Sequence, residues 1–253
     1  MIRSSNPALS EKAFLDVDSG QIGAARNTAN NNVMTLAGTV NKTGILLLLI
    51  VATAFYTWNI AATQGMGAVS PFIWGGAIGG LVLALITIFK KTWAPVTAPM
   101  YALVEGLFIG GISAWFEMRF PGIVIQAVGL TFGTLAALLF AYKTGLIRAT
   151  ENFKLGVVAA TGGIFLVYLS SFILSFFNIN VPFIHESGLI GIGFSLFVVV
   201  IAALNLVLDF DFIENASEQG APKYMEWYGA FGLVVTLIWL YIEFLRLLAK
   251  LRD

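Results

Sequence analysis

The sequence predicts an all-α integral membrane protein, a bundle of seven transmembrane helices, and three observations carry that class. Hydrophobic residues make up 58% of the 253 and charged residues only 11%; a soluble domain carries roughly 25% charged residues, so a water-facing surface would be badly under-covered. Seven apolar runs approach the ~20 residues that cross a hydrocarbon core. Within several of them glycines recur four apart, the spacing that lets membrane helices approach closely.

Residues 1–42 are rich in Asn, Ser, Ala and Gly and lack an apolar run. They read as a polar tail with a short interfacial helix before the first span, and no cleavable signal is visible. The first span is expected over 43–62, ending at an interfacial Tyr56 and Trp58. The second, 69–89, carries Gly75, Gly76, Gly79 and Gly80, two overlapping GxxxG patterns. The third, 97–117, contains Glu105 followed by Gly106 and Gly110, and the fourth, 121–142, has Gly129 and Gly133 four apart. Spans five to seven are expected over 155–177, 188–211 and 227–249. Residues 43–253 thus form one membrane domain with no separate soluble part.

Basic residues in the loops set the orientation. With a cytoplasmic N-terminus the inner side receives ten: Arg3, Lys12, Arg26, Lys42, Lys90, Lys91, Lys143, Arg148, Lys154 and Lys223. The outer side receives four, Arg119, Arg246, Lys250 and Arg252. The expected protein is therefore multi-pass in the cell membrane, N-terminus inside and C-terminus outside.

Several chemistries are excluded by residue type. There is no Cys and a single His, His185, which reads as a loop residue before the sixth span. Thiolate chemistry, an HExxH zinc site and a serine–histidine pair within the membrane are therefore absent, and no lysine lies inside the seventh span to carry retinal. The protein is not expected to be an enzyme, and nothing points to a nucleic acid or a resident cofactor.

Intramembrane acids remain, and such residues are costly enough to be functional candidates by default. Phe194–Glu214 begins as an unbroken apolar run and ends in Asp209, Asp211 and Glu214. Asp209 and Asp211 are about 200° apart around a helix, whereas Asn205 precedes Asp209 by one turn and shares its face. Asn205 and Asp209 therefore form the candidate inward stripe, while Asp211 and Glu214 are expected at the interface or paired with a basic loop. Glu105 has apolar flanks and must face the bundle interior, either hydrogen-bonded to a neighbouring helix or as a proton- or cation-sensing group. Glu243 is three residues before Arg246, so a local ion pair competes with a pore role. Glu226 and Lys223 lie ahead of the seventh span, where pairing with Asp211 is available. Oxygen ligands without Cys or several His suit a hard cation such as Ca²⁺, with Asp209 and Glu105 as its transient ligands.

Five stretches carry a resemblance: RSSNPAL at 3–9, YALVEGLFIGGIS at 101–113, KTGLIRATENFK at 143–154, LNLVLDFDFIE at 204–214 and EWYGAFGLVVTLIWLYIEFLRLLAKL at 226–251. In that order and on seven spans, the chain resembles the Bax inhibitor-1 (TMBIM) family in its bacterial YccA-like branch. The resemblance implies a bundle whose C-terminal helix is surrounded by the other six, and a pH-sensitive Ca²⁺ leak gated by two aspartates that share a proton, one on helix six and one on helix seven. It also connects the chain with other membrane proteins: eukaryotic members are linked to suppression of cell death, and a bacterial relative modulates a membrane-bound AAA protease. The implied alternative is accordingly a non-conducting regulator that binds another membrane protein. The helix-six aspartate matches Asp209. On helix seven, matching LYIEF makes Glu243 the partner, whereas aligning the Leu-Arg near the chain's end puts Thr236 there with no acid. The second register keeps the helix ungapped and is preferred. Glu105 is then the candidate second carboxylate.

Overall fold

The computed structural model describes residues 32–177 and 188–253. Seven helices, each long and apolar enough to cross a membrane, make up the described chain: α1 Leu36–Gln64, α2 Met66–Phe89, α3 Ala94–Arg119, α4 Ile123–Lys143, α5 Glu151–Ser175, α6 Leu189–Glu218 and α7 Met225–Arg252. A 3₁₀ turn, Lys91–Trp93, joins α2 to α3. His185 and most of the polar tail lie outside the described residues.

Most helices run past their apolar segments, because backbone hydrogen bonding does not stop where hydropathy does. The clearest case is α1, which begins at Leu36 rather than 43 and so takes seven residues of the expected tail into the helix. Thr35 is the reason: its hydroxyl accepts the amide of Gly38 at 3.0 Å, an N-cap that fixes the first turn. Similarly, α6 continues to Glu218, leaving Asp209 nine residues, about 14 Å, inside its end.

The C-terminal helix is the core of the bundle. In α7, 61% of the most apolar window is buried, against 11% in α5. Backbone packing places α1, α3, α4 and α6 against it, while α2 lies on α3 and α1 and α5 lies on α6. The expectation of six surrounding helices thus narrows to four close neighbours and an outer pair.

Glycines set the tightest crossing, between α1 and α3. A Cβ at Gly106 would overlap Thr53 and the backbone of Ile50, and one at Gly110 would meet the backbone of Ala54. Gly76 and Gly80 of α2 serve α3 in the same way, facing Phe108 and Glu105. Gly129 and Gly133 do not: no atom lies within 4 Å of a Cβ built at either, so the expected close crossing of α4 through them is absent. Their shared face meets no helix, and small residues bring helices together only where a neighbour is present. Buried threonines are satisfied along their own helices, Thr43 donating to Thr39 O and Thr131 to Ala127 O.

One end of the bundle is knotted by polar contacts that join residues far apart in sequence. Val33 bridges Pro222 antiparallel, with Met34 N donating to Ala221 O at 2.7 Å and Lys223 N to Asn32 O at 2.9 Å. This clamps the entry to α1 onto the α6–α7 turn.

Candidate functional site

Asp209 stands on the face of α6 that meets α7. A Cβ at Gly232 would lie 3.9 Å from its Oδ1, and the Thr236 hydroxyl sits beside the carboxyl as a hydrogen-bonding group. Thr236 itself donates to Gly232 O at 3.3 Å. Asp209 Oδ2 is buried without a hydrogen-bond partner among the described residues. The residue opposite Asp209 is therefore Thr236, the one given by the ungapped register, and among the described residues no carboxyl is hydrogen-bonded to it.

The other candidates occupy different surroundings. Asn205, one turn from Asp209, is turned toward α5: its amide donates to Thr161 Oγ1 and to Ile201 O, both at 2.8 Å. It shares a stripe with Asp209 but its donor is already used. Glu105 is 9% exposed in the middle of α3, and its Oε2 occupies the space left by Gly80 on α2. Its carboxyl is turned toward α2, which has no close packing with α6 or α7. The apolar flanks of Glu105 required it to face another helix but could not say which.

Glu243 is buried on α7, seven residues beyond Thr236. Tyr168 of α5 donates to both of its oxygens at 3.1 and 3.2 Å, and Arg246 donates at 2.9 Å while lying over the Tyr168 ring. The local Arg246 pair expected from spacing is present, with a tyrosine from a second helix added. Glu243 is thus fully engaged away from Asp209.

Asp211 and Glu214 line a polar cavity of about 440 Å³ with Tyr142, Lys143, Arg148 and Thr150, at the ends of α4 and α6 and the turn before α5. Lys154 pairs with Asp211 at 2.8 Å, and the Tyr142 hydroxyl donates to Glu214. Neither Lys223 nor Glu226 pairs with Asp211: Lys223 pairs with Glu226 at 2.9 Å, and Asp211 pairs with Lys154. Asp211 is about 200° from Asp209 around α6, so the cavity opens on another side of that helix from the face that meets α7.

Sequence reading missed the role of Glu226. Its side chain is fully buried at the start of α7, where its Oε1 accepts from Thr35 N at 2.9 Å and Thr35 Oγ1 at 2.8 Å. Lys42 and Lys223 pair with the same carboxylate. Gly38 provides the space, since a Cβ there would overlap the carboxylate. The one available signal was an acid in the first turn of a helix, which the helix dipole favours but which is common.

Among the described residues no three acidic or imidazole side chains converge on a metal-sized site. Comparison with protein families finds that residues 6–253 match the model described as Bax inhibitor 1 like. Curated proteins and solved structures give no match.

Proposed function

Because the chain belongs to the Bax inhibitor 1 like family, we propose that it is a proton-sensitive cation leak or transporter, with Ca²⁺ as a permeant ion and Asp209 as its gate. The observation that carries this reading is the buried, unpartnered Oδ2 of Asp209 at the α6–α7 contact. An ionised carboxylate in such a place is costly unless a proton or a cation joins it, so the group is poised to exchange one for the other. Thr236 and the Gly232 carbonyl offer neutral oxygens beside it. They leave Asp209 to act alone, without the second carboxylate that would share its proton. In this reading Ca²⁺ passes rather than resides.

In this reading the cavity at Asp211 and Glu214 is the cytoplasmic mouth, and the end bearing Lys42, Lys91, Lys143 and Lys154 faces the cytoplasm. The bilayer surrounds all seven helices, and no side chain is assigned a catalytic role. Ca²⁺ entry into dye-loaded liposomes, followed over a series of pH values, tests the proposal with Asp209→Asn beside the unaltered protein. Entry above empty liposomes that varies with pH, and a flat profile in Asp209→Asn, are expected. No entry at any pH would overturn it.

A second reading is favoured by one specific contact. The Lys154–Asp211 pair places a cation across the mouth, which suits a non-conducting regulator that binds another membrane protein. Absence of flux together with a co-purifying membrane partner would select it.

A further inference from the structure

One helix, α5, is attached to the bundle differently from the rest. Among the described residues it alone of the seven contributes nothing to the main apolar core, and its buried apolar residues are Val157 and Ile164. Ile164 packs with Val198 and Ile201 of α6 in a small separate cluster. The outward side chains, Leu155, Val158, Phe165 and Phe172 among them, are exposed on the helix surface. Apolar side chains gain little by leaving lipid for another helix, so burial alone holds α5 weakly.

Three polar ties add to that hold, and they are evenly spaced. Lys154 pairs with Asp211 of α6 at 2.8 Å. Thr161 accepts from the amide of Asn205, also on α6 and also at 2.8 Å. Tyr168 donates to the Glu243 carboxylate of α7 at 3.1 and 3.2 Å. Positions 154, 161 and 168 are seven residues apart, about 10.5 Å along the axis, so they return to nearly the same side of the helix. The buried positions 157, 164 and 171 run alongside them with the same spacing. One stripe of α5 is therefore laid along α6 and α7.

Each tie also has a substitute that does not involve a second helix. Lys154 lies 3.2 Å from Glu151, one turn away on α5. Asn205 donates to Ile201 O at 2.8 Å, and Glu243 accepts from Arg246 at 2.9 Å, each within its own helix. The Thr161 hydroxyl can turn to the carbonyl one turn back, as those of Thr43 and Thr131 do. Asp211 opens onto the polar cavity at the end of α6, where water can replace Lys154. Breaking a buried ion pair is costly when it strands a charge, and here the parting helices leave none stranded.

We propose that α5 is a detachable strap. It docks along α6 and α7 through Lys154, Thr161 and Tyr168 and swings away as a rigid helix, uncovering Asn205, Asp211 and Glu243 while the other six helices stay packed. The strap is a property of the fold and stands whether or not the protein conducts.

The chain contains no cysteine, so spin labels attach only where a cysteine is introduced. Electron–electron double resonance on the full chain in lipid nanodiscs tests the strap, with labels at Ile125→Cys of α4 and Phe165→Cys of α5, both exposed positions. Ile125→Cys with Leu48→Cys of α1, likewise exposed, is the control pair. A docked distance is expected to dominate the parent, with a second distance growing as ties are removed. Lys154→Met, Thr161→Val and Tyr168→Phe should each raise the ratio of the second population to the docked one about threefold, the average strength of such contacts. All three together should raise it about twentyfold, because sites ~10 Å apart contribute additively. The control pair keeps one distance throughout. No second distance in the triple variant, a second population that tie removal leaves unchanged, or a control pair that broadens in step would overturn the proposal. Should the triple variant fail to fold, the single variants decide, since each keeps two ties: the threefold growth supports the strap, and its absence in all three refutes it.

Discussion

Glu226→Gln perturbs the contact that fixes where α7 begins. The glutamine keeps the shape and can still accept from Thr35 N and Oγ1 through its carbonyl oxygen, so those two bonds survive. What is lost is the negative charge facing Lys42, whose side chain is 18% exposed, and Lys223, at 45%. A hydrogen bond to a charged partner is worth about 1.5–3 kcal/mol, and the Lys42 contact belongs to that class. The half-exposed Lys223 contact adds at most about 1 kcal/mol. An amide NH₂ turned toward two ammonium groups offers no compensation, so the expected loss is about 3 kcal/mol. Reversible unfolding in mixed detergent–SDS micelles, followed by helicity, measures it. Adding Lys42→Met should recover about half of the loss, because replacing both partners removes the stranded charge. A loss below about 1 kcal/mol, or strict additivity in the double variant, would refute the assignment of Glu226 as the anchor of α1 to α7.

Two further outcomes follow from the packing and the mouth. Gly110→Val puts a branched side chain into the Ala54 backbone and should abolish assembly of α1 on α3, whereas Gly129→Val, which meets nothing within 4 Å, should stay within about 0.5 kcal/mol of the parent in the same unfolding assay. Lys154→Met frees Asp211 at the mouth and should raise Ca²⁺ entry into liposomes; unchanged or lower entry would count against the mouth assignment.

The seven spans were legible in the sequence because hydropathy marks a membrane helix directly. The first two turns of α1 were not, since 36–42 carry polar residues and their helicity depends on the Thr35 cap. Gly129 and Gly133 show the limit of a spacing rule: the pattern permits a close crossing, but only a facing helix makes one. Thr236 opposite Asp209 could be read from an ungapped alignment of α7. Glu105 could be read as inward but not as facing Gly80, and Glu226 could be read only as an acid at the start of α7, not as its anchor. Its partners Thr35 and Lys42 lie 191 and 184 residues away, and no local pattern encodes a contact of that range.

The central claim is that Asp209 gates alone because Thr236, and not an acid, stands opposite it. Thr236→Asp supplies the missing carboxyl, and two facing carboxyls titrate as a coupled pair rather than as one group. The decisive measurement is the pH profile of Ca²⁺ entry in Thr236→Asp liposomes against the parent. A single step is expected in the parent, two separated steps in Thr236→Asp, and a profile unaltered in position by Glu243→Gln. A Thr236→Asp profile that overlays the parent, or a parent step that moves with Glu243→Gln, would contradict it.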